Sequence, residues 1–174
     1  MKLIISIFFV SIFCTYNAYP TSIRVVNLNL LIENNEYLNK LIENIEEEQI
    51  VYKNKFNENE EYLKNKLDEL DELRLILDDS ELENEINLYN QELNDFNIKI
   101  NSFNNHYENQ INQFKNKILQ SIIEILKKYS LDNEIDLILD SNSYILSTNS
   151  INITELISKE LSKLNFNISF EKYK

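Results

Sequence analysis

The sequence contains no glycine and no tryptophan, and its 174 residues include one proline, one cysteine and one histidine. Without glycine, the loops that hold phosphate on backbone N–H groups cannot be built in their usual form. His106 has no second histidine or cysteine at metal-ligand spacing, so a solvated surface histidine is the favoured interpretation. Carboxylate pairs such as Asp78 and Asp79 lie in polar runs with nothing to desolvate them. We therefore expect no enzyme activity, no cofactor, and no catalytic or metal site.

The first residues have the layout of a secretory signal peptide. Lys2 precedes an apolar run at residues 3–13, and small and polar residues follow it. This run is shorter than the roughly 20 residues that span a bilayer, so no permanent membrane anchor is expected. The predicted leader is residues 1–18, although Tyr16 fits the small-x-small cleavage rule poorly and leaves neighbouring sites open. Its removal also removes Cys14, where the bulky Phe13 argues against lipid attachment.

Apolar residues in the middle of the chain repeat at steps of three and four. A regular run covers residues 86–129 and a looser run covers residues 38–77, which indicates two helices packed as a coiled coil. Residues 78–80 separate the runs, where Ser80 is expected to cap the second helix and Glu83 to complete a capping box. We predict an antiparallel helical-hairpin arm over residues 33–129, with its tip near residues 78–80. Each helix of roughly 45 residues would extend about 65 to 70 Å.

The flanking segments have β-rich patterns instead. Strands are predicted at residues 23–28, 134–140 and 144–147, with a turn at residues 141–143. A last helix should follow Asn152 as its N-cap, with Glu155 closing a capping box and an apolar face that continues to Leu164.

Such a core is too small to be stable alone, so residues 19–32 and 130–174 should form an oligomerising body. The fold class is α+β, mainly α. Candidate oligomer contacts are the apolar strand residues Val25, Val26, Leu137, Ile138, Leu139 and Ile145.

The order of these features resembles the Skp/OmpH family. The resemblance rests on a leader, the strand Ile23-Arg24-Val25-Val26-Asn27, a long helical hairpin, the motif Asp136-Leu137-Ile138-Leu139-Asp140, and Ile153-Thr154 opening the last helix. It implies a periplasmic homotrimer whose strands form a small barrel and whose hairpins enclose a cavity. Unfolded outer-membrane β-barrel proteins would be held there without ATP.

The alternative is a structural periplasmic coiled-coil spacer or scaffold whose arms bind one fixed partner. Under the chaperone hypothesis, client contacts would come from apolar positions that the seams do not need. Leu75 and Ile76 among them could equally pack on the returning helix. The candidates are Tyr37, Tyr62, Leu75, Ile76, Leu88 and Ile98.

The charge of the chain is concentrated on the arm. Residues 33–114 hold 21 acidic and 7 basic residues, a net charge of −14, whereas residues 115–174 hold 8 of each. Either these charges only keep a long hairpin soluble, or they keep the arms apart and favour clients with basic segments. Both interpretations argue against nucleic acid and anionic lipopolysaccharide as partners.

Overall fold

The computed structural model describes residues 21–174, so the predicted leader and its cleavage site lie outside the described residues. Strand β1 (Ile23–Val26) leads into helices α1 (Leu28–Glu33), α2 (Glu36–Leu73) and α3 (Asp79–Asp132). Strand β2 (Leu137–Asp140), two short 3-10 turns and helix α4 (Thr154–Leu161) follow. The described chain is mainly helical, with a long hairpin on a small strand pair, as the sequence predicted.

The two arm helices differ in length. Helix α2 has 38 residues and helix α3 has 54, which correspond to about 57 and 81 Å. The prediction of two equal helices was therefore wrong, because α3 continues into the body whereas the first limb is interrupted after Glu33. Asn35 caps the longer part of that limb, and its side chain accepts hydrogen bonds from the backbone N–H groups of Tyr37 and Leu38, both at 3.1 Å.

At the tip, Asp78 caps α3 in place of the predicted Ser80. Its Oδ1 accepts the N–H of Glu81 at 2.9 Å, and its backbone is extended, as an N-cap requires. Ser80 already lies inside the helix. The reversal before it is tight: the N–H of Leu77 donates to the Leu73 carbonyl at 2.9 Å.

The seam between α2 and α3 is buried unevenly along the arm. Of the described residues of α3, none before Phe103 is buried, and Leu67, which the heptad pattern placed in the seam, is 45% exposed. A single partner helix covers the distal seam, where Lys66 and Glu92 form an ion pair at 2.7 Å. The hydrogen bond to Glu92 raises the pKa of the Lys66 ammonium. On α2 the distal seam residues Leu63 and Leu70 are nevertheless buried. Nearer the body, further chain segments also cover the seam, and the burial of each large apolar side chain stabilises the fold by about 1.5–3 kcal/mol. The buried seam residues there are Leu38, Leu41, Ile45, Phe56, Phe103, Tyr107, Phe114, Ile118 and Ile122.

The body contains one parallel strand pair, with Ile23 opposite Leu137 and Val26 opposite Asp140. The whole arm serves as the crossover connection that parallel strands need. The strand predicted at residues 144–147 does not form. On the side of β1 away from β2, Asn152 forms an isolated bridge to Val25.

Asp140 joins the strand pair to the start of the arm. Its carboxylate accepts the N–H of Leu28 at 3.0 Å and the side-chain amide of Asn142 at 2.9 Å. Partial burial works to raise the pKa of Asp140, but hydrogen bonds from the backbone of Leu28, Asn142 and Ser141 outweigh it and lower that pKa below its usual value.

Helix α4 begins one residue later than predicted, at Thr154 with Ile153 as its N-cap. The N–H of Ile153 donates to the Val25 carbonyl at 2.9 Å, which keeps that residue at the sheet edge. Asn152 therefore bonds the N–H of Thr154 at 2.9 Å from outside the helix. Glu155 pairs with Lys159 at 3.2 Å instead of closing a capping box. Leu164 is exposed, since the helix ends at Leu161 and the apolar face ends with it.

After α4 the chain turns back onto the arm, and we call residues 165–174 the return segment. Its first residue bonds Tyr37 and its Tyr173 contacts Tyr52. Those two tyrosines are about 22 Å apart along α2, and eight fully extended residues span about 26 Å. The return segment is therefore nearly extended, and it runs from the body towards the tip.

Candidate functional site

The tip of the hairpin presents two large apolar side chains to solvent. Leu75 is 89% exposed and Ile76 is 78% exposed. Both lie in the turn after α2, where their N–H groups donate to the carbonyls of Glu72 and Leu73 at 3.1 and 3.0 Å. Neither side chain packs on α3, so packing on the returning helix is excluded for this pair and client contact stays a prediction. The tip is an exposed apolar surface held by backbone hydrogen bonds.

Three further predicted residues, Tyr62, Leu88 and Ile98, lie along the shaft of the arm and are at least half exposed. Tyr62 borders a shallow concavity between α2 and α3, together with Phe96 and Glu92. These side chains are off the seam, as their positions in the heptad pattern predicted.

The shaft also exposes Ile50 and Val51, which the sequence analysis missed. The signal was present, since Ile50, Val51 and Tyr52 are consecutive and one helix face cannot bury all three. Tyr52 is the residue that packs into the hairpin core.

Tyr37, the remaining client-contact candidate, is occupied within the chain. Its ring packs edge-on against Phe166 with centroids 5.5 Å apart, and its hydroxyl donates to Oδ1 of Asn165 at 2.9 Å. We therefore remove Tyr37 from the set of exposed client-contact candidates.

His106 is not the solvated residue that the sequence predicted. Its Nε2 lies 2.7 Å from the carbonyl oxygen of Glu171, and its ring packs against Tyr107 and Tyr173. Because a carbonyl oxygen only accepts hydrogen bonds, Nε2 is the donor in this contact. His106 thus takes part in holding the return segment.

The predicted oligomer contacts fall into two groups. Val25 and Val26 are buried inside the protomer, and Ile138 and Leu139 are half-buried. Leu137 is exposed and Ile145 is fully exposed. The body also exposes Leu131 and Leu146, which were not predicted. Large exposed apolar side chains on so small a body are typical of a protein–protein contact surface.

Within residues 21–174, no group of three or more histidine, cysteine or acidic side chains is arranged to hold a metal ion. No helix in the same residues is long and apolar enough to cross a membrane. The candidate site is the acidic hairpin itself, with exposed apolar residues at its tip and along its shaft.

Comparison with known proteins agrees with this architecture. The family model described as "Outer membrane protein (OmpH-like)" matches residues 22–161. A crystal structure from Caulobacter crescentus, assigned as an OmpH-like outer membrane chaperone, superposes with a TM-score of 0.64 at 12% sequence identity. The alignment covers 92% of this chain and 95% of that one. No curated protein matches the sequence significantly.

Proposed function

We propose that this chain, which belongs to the OmpH-like family of outer membrane proteins, is an ATP-independent periplasmic holdase chaperone. Its clients would be unfolded outer-membrane β-barrel proteins, held in a cavity between the arms of a homotrimer. The predicted leader at residues 1–18 would export it. The family and the chaperone fold of the Caulobacter crescentus protein support a periplasmic chaperone role in general.

The observation that carries the proposal is the set of exposed apolar side chains on the arm. An unfolded chain has no fixed shape, so its holder needs many weak contacts of the kind that isolated exposed side chains make. The surrounding acidic surface keeps such an arm soluble. The residues that we propose to contact clients are Tyr62, Leu75, Ile76, Leu88 and Ile98.

The central experiment measures whether the purified chain keeps a denatured outer-membrane β-barrel protein from aggregating in the absence of nucleotide. The variant carrying Leu75→Ser and Ile76→Ser should suppress aggregation less well, whereas Arg74→Ser, at the same tip, serves as the matched control. If the unmodified chain suppresses nothing, the scaffold interpretation replaces ours.

Shortening the arm tests where clients bind. Because Lys66 faces Glu92 and Phe56 contacts Phe103, residues 60–73 lie opposite residues 86–99. Deleting both ranges removes two heptads from each helix in register, retains the native tip, and shortens the arm by about 21 Å. The shortened chain should still form trimers and should lose holdase activity. Full activity would exclude the deleted shaft as the client-binding region and leave the tip and the body.

The proposed trimer contact lies on the body, beside the strand pair of β1 and β2. The residues proposed to form it are Leu137, Ile138, Leu139 and Ile145. Ile145 is the sharpest position to change, because a fully exposed side chain contributes little to the protomer fold. Ile145→Asp should dissociate the trimer, since burying an unpaired charge costs several kcal/mol. Asn149→Asp, an exposed polar position nearby, is the control. Light scattering after size exclusion reads the mass, and a trimeric Ile145→Asp variant would show that the contact lies elsewhere.

A further inference from the structure

The return segment is held on the arm through its main chain. The side chain of Gln110 makes two hydrogen bonds to the backbone of Glu171. Its Oε1 accepts the Glu171 N–H at 2.6 Å and its Nε2 donates to the Glu171 carbonyl at 3.0 Å. The Nε2–H of His106 donates to that same carbonyl. Side chains of the arm thus satisfy both backbone groups of this residue.

The same arrangement repeats two residues further along. The N–H of Tyr173 donates to the hydroxyl of Tyr107 at 3.2 Å, and the Tyr52 hydroxyl donates to the Tyr173 carbonyl. Main-chain bonds at alternate residues are how extended peptides are recognised in grooves. Such bonds do not depend on the identity of the residues that are bound.

The side chains of residues 166–170 alternate between the arm and solvent, and Tyr173, three residues after Phe170, again packs on the arm. Phe166, Ile168 and Phe170 pack against the core, while Asn167 and Ser169 between them are exposed. Phe170 contacts the Tyr107 ring with centroids 6.3 Å apart, and Tyr173 contacts Phe103 at 5.3 Å. Alternation of this kind, with aromatic residues, is typical of a transmembrane β-strand.

The return segment also lies outside residues 22–161, the part of the chain that the family model matches. We name the surface beneath this segment the aromatic groove, lined by Tyr37, Tyr52, Phe103, Tyr107, Gln110 and Phe114.

We propose that the aromatic groove is a binding site for extended polypeptide segments with aromatic or β-branched residues at alternate positions, and that the return segment is its resident occupant. The strands of an unfolded β-barrel have this chemistry and would displace it. This inference rests on the proposed function for the identity of the client. The groove differs from the tip and shaft contacts, because it recognises main chain and aromatic side chains together.

Charge adds a preference for basic occupants. Lys172 forms an ion pair with Glu48, whose hydrogen bond and charge raise the pKa of the Lys172 ammonium. Glu48 belongs to the acidic run Glu46-Glu47-Glu48 on α2. A client segment with a lysine or arginine near its aromatic residues would make the same ion pair.

The test uses the full chain and a fluorescent ten-residue peptide with the sequence of residues 165–174. A released variant carries Phe170→Ser and Tyr173→Ser, which weaken the resident occupant, and buried Phe166 is left in place to keep the body packed. A tethered occupant competes at an effective concentration in the mM range. The peptide should therefore bind the released variant at least about tenfold more tightly than the unmodified chain, as measured by anisotropy.

Two controls define the chemistry. A peptide of the same composition with its aromatic residues consecutive should bind poorly, and one that keeps the aromatic spacing with serine and lysine between should bind well. Gln110→Ala in the released variant removes both bonds to one residue without touching the helix core. This substitution should lower the affinity of the released variant for the peptide about fivefold to tenfold. Equal binding to the released and unmodified chains, or equal binding of the consecutive peptide, overturns the proposal.

Hydrogen exchange on the unmodified chain tests the proposal without any variant. Excess peptide should accelerate exchange of the Glu171 and Tyr173 amides, and unchanged exchange at saturating peptide overturns displacement. Aggregation assays separate the two levels of inference. If the released variant binds the peptide tightly but the chain does not keep a barrel protein from aggregating, the groove is a peptide-binding site and the proposed client is wrong. If the chain has holdase activity but the released and unmodified chains bind the peptide equally, the proposed function stands and the groove proposal is wrong.

Discussion

Phe103 lies where the two arm helices and the return segment meet, and its truncation should cost more stability than any other change on the shaft. Its ring is 2% exposed and lies within 5.1 to 5.3 Å of the rings of Phe56, Tyr107, Tyr52 and Tyr173. Three of these pairs are edge-on, a favourable arrangement of ring quadrupoles.

The expected cost of Phe103→Ala follows from this environment. Burial and cavity formation make Phe→Ala changes cost about 3–5 kcal/mol, and each aromatic pair adds about 0.5–1.5 kcal/mol beyond buried area. Neighbours on three segments cannot all move in to fill the cavity, so we expect the upper part of the range, about 4–5 kcal/mol. Phe96→Ala is the matched control, because Phe96 is half-buried and has one ring contact, with Phe56 at 6.2 Å. Its expected cost is about 1.5–2.5 kcal/mol.

Urea unfolding followed by circular dichroism measures both variants. Protomer concentration must be equal in every sample, because the stability of an oligomer depends on it. A double-mutant cycle with Tyr173→Ala isolates the contact with the return segment, for which we expect a coupling energy of about 0.5–1.5 kcal/mol. A cost below about 1 kcal/mol for Phe103→Ala, or a coupling of zero, would refute the description of this cluster as a closed three-segment core.

Two further predictions concern charge. Asp140→Asn should destabilise the chain by about 1 kcal/mol at neutral pH, because an amide cannot accept every hydrogen bond that the carboxylate accepts. The pKa of Asp140 is lowered in the folded state, so its contribution to the free energy of unfolding is present above the unfolded value near 3.8 and is lost as pH falls through the folded value. The difference in the free energy of unfolding between the unmodified chain and Asp140→Asn should therefore shrink below about pH 4, as measured by urea unfolding at a series of pH values. If the acidic arm steers clients, stopped-flow association of a basic unfolded client should slow as the Debye length falls from about 30 Å at 0.01 M salt to about 8 Å at 0.15 M, with dissociation changing less. If basic and acidic clients associate at the same rate at every salt concentration, the acidic residues do not steer clients and serve only solubility.

The hairpin was predictable from the sequence because a coiled-coil seam is a local, periodic signal. Apolar residues at steps of three and four mark one helix face whatever surrounds it, and no glycine and only Pro20 interrupt the pattern. Strands β1 and β2 were predictable for a similar reason, since short β-rich runs stand out against the helical period.

The cap of α3 and the strand at residues 144–147 were predicted wrongly for opposite reasons. At the tip, Asp78 and Ser80 are both good caps, and the choice depends on where the preceding turn leaves the backbone extended. Residues 144–147 have strand propensity, but this propensity is weak and depends on tertiary context, and the bridge to Val25 of β1 is made by Asn152 instead.

What the sequence by itself determined is therefore the set of features whose signal lies within one segment: the two seams, the acidic arm and the apolar residues off the seam at its tip. Only the tertiary structure decided the course of the return segment and the roles of His106, Gln110 and Tyr37. Their partners lie 61 to 128 residues away in the chain. No local pattern encodes such contacts, because they exist only once the arm has folded and presents a groove.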